Sequence, residues 1–247
     1  MRKLASYAPA ALVVVLLLAL WEGGCGFFRL PVYVLPAPSR VFRTFVRDLP
    51  LFLEHAGVTV QEVALGLGIG TALGIGVAVV AFYVRPVGQA LTPFLVGTQV
   101  VPIFAVAPLL VLWFGYGIWP KVAVASLITF FPVAINLLDG LRSVRPELLE
   151  FFQALGAREA QLLRLVRLPA ALPFLLSGLR VGATLSLVGA TLGEWVGASQ
   201  GLGYLMIREN ARLRLDRVFA IVLLLTLMGL GLFGLLGVLE RLLRRRR

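Results

Sequence analysis

Charge is scarce in this chain. Only 14% of its 247 residues are Asp, Glu, Lys or Arg, against about a quarter in an ordinary soluble domain. So little charge cannot clothe a water-facing surface, which excludes a soluble globular enzyme. There is one cysteine, Cys25, and one histidine, His55. One of each makes neither a disulfide nor a Cys/His metal cluster, so no metal site is expected. A nucleophile–histidine–acid set would have to use His55, which reads as a surface residue of an outer loop, so no catalytic residue is expected. Lysine is almost as rare. Neither Lys3 nor Lys121 follows a glycine, so the chain lacks the Gly-Lys-Ser/Thr loop that cradles nucleotide phosphates.

Apolar residues are abundant instead. They make up 60% of the chain, and the mean hydropathy is +0.95. The pattern predicts an all-α, polytopic membrane protein with six transmembrane helices, since a crossing needs roughly 20 apolar residues. The candidates are about residues 7–28, 58–82, 91–114, 119–138, 171–196 and 218–239. The first would also suit a signal peptide, but Trp21 and Glu22 stand where small cleavage-site residues are needed. No composition shift or repeat divides the chain, which reads as one transmembrane domain over residues 1–247. The formal charge of +11 comes without a basic stripe interleaved with aromatics, so anionic lipid rather than nucleic acid is the expected counter-charge. The Arg244–Arg247 run weighs towards cytoplasmic N- and C-termini in a plasma or inner membrane.

Within the spans, Gly66, Gly70 and Gly74 fall on one helical face, as required either for tight packing inside the subunit or for a subunit or gate interface. Pro93, Pro102, Pro108 and Pro132 bend the third and fourth spans, which also carry Thr98, Gln99, Thr129 and Asn136. Bent helices with polar groups at mid-depth suit a solute path, and they equally suit bonds between helices. Among the ionisable residues in or beside spans, Glu22, Arg180 and Glu194 stand out. Glu194 is a candidate gate residue or half of a structural pair. After it, Gly197–Arg217 reads as an amphipathic surface helix with Arg208, Arg212, Arg214 and Arg217, fit to dock a partner or to form a positive mouth for an anion.

The segment between the fourth and fifth spans reads DGLRSVRPELLEFFQALGAREAQLLRLVRLPA. Pro146 and Glu147 suit a helix start, and Gly156 suits its stop. A second short helix is expected over about Ala157–Arg167, ended by Pro169. Glu150, Gly156, Val166, Leu168 and Pro169 match the spacing of the coupling-helix signature of importer-type ABC transporter permeases, with Phe151 and Phe152 in place of the usual Ala-Ala. The wider chain resembles the nitrate/taurine/alkanesulfonate branch. The segments that carry this are Leu35–Ser39, Ala107–Gly117, Phe131–Pro132 with Asn136, Gly140–Arg142, Leu168–Pro173, Gly178–Arg180 and Glu194–Gly203.

That resemblance implies a type I ABC importer permease with a coupling segment over residues 146–169. Glu147, Glu150, Phe151, Phe152, Leu155, Gly156, Ala157 and Arg158 would contact the ATPase. It implies a homodimer of permeases, a cytoplasmic ABC ATPase dimer that binds ATP and Mg²⁺, and an extracytoplasmic solute-binding protein. This chain would hold no cofactor itself. The solute would be a small organic or inorganic anion or a thiamine-precursor pyrimidine. An ion-gradient-driven secondary transporter is the competing class. It requires acids or histidine at the bilayer midplane, whereas Glu22 and Glu194 fall near the outer edge.

Overall fold

The computed structural model describes residues 8–84, 86–90, 93 and 102–245. Among them every regular element is helical: α1 (Ala8–Phe27), α2 (Pro38–Arg47), α3 (Leu49–Tyr83), α4 (Ile103–Phe114), α5 (Trp119–Arg142), α6 (Pro146–Ala154), α7 (Glu159–Leu162), α8 (Leu168–Glu194), α9 (Leu202–Ala211) and α10 (Leu215–Arg245). Four described stretches are long and apolar enough to cross a bilayer: α3, α5, the run Glu159–Glu194 through α7 and α8, and Leu215–Leu242 of α10. The expected first span is α1, whose apolar part, Leu12–Phe27, is shorter than these. Of the expected third span, Ile103–Phe114 is a described helix. Thr98 and Gln99 lie outside the described residues.

Several boundaries differ from expectation. α3 runs for 35 residues, about 52 Å at ~1.5 Å per residue, well over the ~30 Å hydrocarbon thickness. Its first turns, carrying His55, therefore extend the span rather than forming a loop. Pro169 does not end a helix. A π-helical turn over Leu163–Arg167 leads straight from α7 into α8. Placing the proline in the first turn of the next α-helical stretch avoids asking it for an interior N–H.

α5 is the axis of the bundle, with α3 on one side and α8 on the other. Glycine sets both interfaces. A Cβ at Gly70 would lie 2.5 Å from the Ser126 carbonyl oxygen, and one at Gly66 or Gly74 would overlap Ala125 or Val133. The stripe thus packs α3 onto α5 within one subunit. On α8, Gly178, Gly182, Gly189 and Gly193 form a second stripe against Pro132, Thr129, Ala125 and Lys121 of α5. Such stripes let backbones approach closely where lipid offers no hydrophobic drive between helices. At one end of the bundle Phe52, Leu202, Leu205 and Ile221 join α3, α9 and α10. At the other, Ala78, Leu137, Leu141 and Ala171 join α3, α5 and α8. Arg180 of α8 pairs with Glu240 of α10 at 3.5 Å and lies 4.5 Å from the Phe233 ring centroid.

Candidate functional site

The sequence-selected residues fall at three places. The first is α6. Pro146 occupies its first turn, and Arg145 ahead of it is extended (φ −62, ψ 136). Gly156 ends it at φ +80. The Gly156 N–H donates to the Gln153 carbonyl at 2.9 Å and the Ala157 N–H to the Phe152 carbonyl at 3.0 Å, the paired bonds of a glycine-terminated helix. Leu149, Phe152 and Ala157 pack on Val144, Leu162 and Val166. Glu147, Leu148, Glu150, Phe151, Leu155, Gly156 and Arg158 are exposed, and α6 contains no fully buried residue. The helix therefore carries two apolar edges: Leu149 and Phe152 face the protein, and Leu148, Phe151 and Leu155 face away.

The second place is a cleft of about 600 Å³ between α4, α5 and α8, walled by Ile103, Leu127, Phe131, Asn136, Val181 and Leu185 among others. Asn136 donates its side-chain N–H to the Pro132 carbonyl at 2.8 Å, which leaves its amide oxygen as an acceptor. Thr129 is turned into the α5–α8 interface, fully buried, where its hydroxyl donates to the Gly182 carbonyl at 3.4 Å.

The third place surrounds Glu194, which is 1% exposed. Its carboxylate accepts from the Thr59 hydroxyl at 2.7 Å and from the backbone N–H groups of Gly203 (2.5 Å) and Tyr204 (3.3 Å). The Leu202 N–H donates to the Thr59 hydroxyl oxygen at 2.9 Å, and the Gly201 N–H to His55 Nδ1 at 3.1 Å. A helix leaves its first N–H groups without internal partners. Those of α9 are satisfied by side chains of α3 and α8. Gly201 makes this approach possible: its φ is +109, and a Cβ there would overlap the Glu194 carboxyl. His55 is accordingly buried at 7% exposure, not an outer-loop surface residue, and as an acceptor at Nδ1 it is the tautomer protonated at Nε2.

Two ionisable groups here received no site role from the sequence. Glu62 of α3, 2% exposed, lies within hydrogen-bond reach of Glu194 with Lys121 close by. Lys121 is buried, and its ammonium donates to the Gly117 carbonyl. The missed signal was periodicity: His55, Thr59 and Glu62 continue the Gly66–Gly70–Gly74 stripe at helical spacing.

Beyond α9 lies an arginine-rich network. Glu209 is fully buried and takes ion pairs from Arg208, Arg212, Arg214 and Arg217. Burial pushes its carboxyl up, but the hydrogen bond and charge of Arg217, with Arg208 behind them, outweigh it and hold the group below the usual range. Asp48 is held low chiefly by the hydrogen bond from Arg47, against burial and with help from Arg217.

Comparison with known proteins agrees with this architecture. Residues 70–245 match the family model described as binding-protein-dependent transport system inner membrane component. A probable ABC transporter permease protein of Haemophilus influenzae is 41% identical over 222 residues, which is 90% of this chain and 91% of that one. The formylaminopyrimidine transport permease protein ThiX of Halalkalibacterium halodurans is 39% identical over 233 residues, 94% of this chain and 93% of that one. Among solved structures, an amino acid ABC transporter superposes with a TM-score of 0.68 at 21% identity, covering 81% of this chain and 97% of that one. The chain therefore belongs to the binding-protein-dependent transport system inner membrane components, the permeases of ABC importers.

Proposed function

We propose that this chain forms half of a solute pathway and is driven by an ATPase that grips α6. It is the permease subunit of an ATP-driven importer and not itself an enzyme. ATP and Mg²⁺ are handled by a separate ATPase chain. In this reading the single domain crosses the membrane six times, through α1, α3, the segment ending in α4, α5, α8 and α10, with both termini in the cytoplasm. A second copy completes the pathway, a cytoplasmic ATPase dimer docks on the two coupling segments, and a solute-binding protein delivers from the opposite side.

The observation that carries the coupling role is the outward edge of α6. Leu148, Phe151 and Leu155 are 45%, 59% and 69% exposed, on a short helix held between two spans. An apolar edge of this kind suits a groove in a partner. Glu147, Glu150 and Arg158 flank it with charge, and the inward residues Phe152 and Ala157 seat it on Val144, Leu162 and Val166. The test is Phe151→Glu in the assembled transporter. ATPase co-purification should fall at least tenfold while the permease stays monodisperse in detergent. Unchanged recovery of the ATPase would sink the assignment.

For the solute, the cleft beside α5 favours a neutral planar heterocycle of the pyrimidine kind over a small anion. Its described walls are apolar and aromatic side chains plus the Asn136 amide, and none is charged. An anion drawn from water into such a cleft needs a cationic partner, whereas a heterocycle stacks on Phe131 and gives an N–H to the Asn136 oxygen. The relative named for formylaminopyrimidine supports this choice.

A further inference from the structure

We propose that the arginine-lined cavity between α2 and the α9–α10 turn seats a carboxylate side chain of the solute-binding protein, an inference that rests on the importer reading above. The cavity holds about 460 Å³, and its lining includes Tyr33, Arg40, Arg47, Arg214, Arg217 and Asp216. Four guanidiniums thus face one carboxylate across the opening.

These arginines divide into two kinds. Arg217 is spent on the scaffold. It donates from Nε to Asp48 at 2.8 Å and from Nη1 to Glu209 at 2.9 Å, and is only 18% exposed. Arg47 forms a two-pronged pair with Asp48 at 2.9 and 3.0 Å. Arg40 and Arg214 are different. Their only ion pairs among the described residues are long, 3.9 Å to Asp216 and 3.7 Å to Glu209. Their side chains are 55% and 52% exposed, and neither guanidinium donates a hydrogen bond among the described residues. Two planar forks with donors to spare, across one opening, match the geometry of an incoming carboxylate.

The backbone at the turn is an independent sign of function. α9 ends with the paired bonds of a glycine-terminated helix: Leu213 N–H to the Asn210 carbonyl at 2.9 Å, and Arg214 N–H to the Glu209 carbonyl at 3.0 Å. The left-handed position, however, is Leu213, at φ +57. A leucine there is disfavoured, and such strain gathers at binding surfaces. It sets Leu213 outward at 64% exposure beside Tyr33 at 58%, giving the charged opening an apolar rim. Arginine and tyrosine, with an apolar neighbour to shed water, are residue types that concentrate binding energy at protein interfaces. The position also explains why a partner would act here: α9 is bonded at its other end to Glu194, Thr59 and His55, so a pull on the turn reaches α3 and α8 directly.

The test uses the complete permease–ATPase transporter in phosphatidylcholine nanodiscs, with the binding protein identified by its stimulation of ATP hydrolysis. Arg40→Glu with Arg214→Glu should weaken its binding at least tenfold and flatten the salt dependence of affinity. Arg43→Glu, an equal charge change outside the cavity, should cost less than threefold. Arg40→Gln with Arg214→Gln should fall between, and basal ATP hydrolysis should not change. Equal losses in the Arg43 variant, or wild-type affinity in the double variants, would overturn the site. So would loss of bound phosphatidylglycerol, measured in nanodiscs containing it, with affinity for the binding protein intact, because the cavity would then be a lipid headgroup site. A wild-type transporter that no binding protein stimulates would fail one step earlier, at the importer reading.

Discussion

Replacing Glu194 by alanine should release the first turn of α9 from the bundle. The wild-type carboxylate accepts from the Gly203 and Tyr204 N–H groups and from the Thr59 hydroxyl, and is 1% exposed. Without it the hydroxyl can turn to the His55 carbonyl, already 3.3 Å away. The two backbone donors have no such alternative. A buried donor left unpaired costs about 1–3 kcal/mol, which applies to the buried Gly203 N–H, whereas the Tyr204 N–H is only part-buried. A factor of ten accompanies each ~1.4 kcal/mol. Even the lower figure therefore raises the population of locally opened α9 about fivefold. Hydrogen exchange by mass spectrometry in nanodiscs reads this directly, as faster exchange across Gly203–Leu205 with α6 unchanged as an internal control. Glu194→Gln keeps one acceptor oxygen and should exchange at an intermediate rate. If the alanine variant exchanged as slowly as wild type in this segment, the carboxylate would not be holding α9.

Two further outcomes follow from the packing and the charge network. Gly70→Ala places a methyl 2.5 Å from the Ser126 carbonyl oxygen and should destabilise the α3–α5 pair by about 1–3 kcal/mol, read as a lower unfolding temperature in detergent. Gly68→Ala, on the open side of the same helix, is the matched control and should leave it unchanged or slightly raised, since alanine is the better helix former. Glu209 and Asp48 are both held below their ordinary values of 4.5 and 3.8. A carboxylate depressed in the folded state stabilises it fully above the unfolded value and loses that contribution as pH falls through the folded one. Thermal stability should therefore hold from neutrality to about pH 5 and decline below it. Glu209→Gln should shrink that decline, and an identical acid profile in the variant would show that the arginine cluster does not engage this carboxylate.

The large features were legible because lipid imposes them. Continuous apolar runs marked α3, α5, α8 and α10 to within a few residues at most ends, and Pro146 and Gly156 bracketed α6. Reading fails where one sequence pattern serves two structures. Pro169 looks like a stop, but a π-helical turn just before it keeps the helix continuous. His55 looks like a loop residue because it lies beyond the apolar window 58–82, yet α3 extends past that window and buries it. Glu62 sits inside an apolar run, and its role depends on α8 bringing Glu194 alongside, which no local pattern encodes. On α6, the spacing of Leu148, Leu149, Phe152 and Leu155 in the sequence suggests one apolar face. The structure divides those residues between an edge packed on Val144, Leu162 and Val166 and an edge left open.

Glu22 shows that Glu194 is one case of a general device. The Glu22 carboxylate, near the end of α1, accepts from the Ser39 N–H at 2.9 Å and the Ser39 hydroxyl at 2.7 Å, in the first turn of α2. Both short helices at this end of the bundle are thus held at their N-termini by an acid from a neighbouring long helix, where the helix dipole favours negative charge. Hydrogen bonds of this kind are directional and short in reach, so α2 and α9 follow their anchoring helices as rigid attachments. α6, at the opposite end, is attached differently, by apolar packing of Leu149 and Phe152, which tolerates small sliding. Under the coupling role proposed above, a push on α6 would arrive through apolar packing, and α9 would follow α3 and α8 through hydrogen bonds. An edge-of-span carboxylate that reads as a gate candidate in the sequence is thus, in the structure, the anchor of a neighbouring helix.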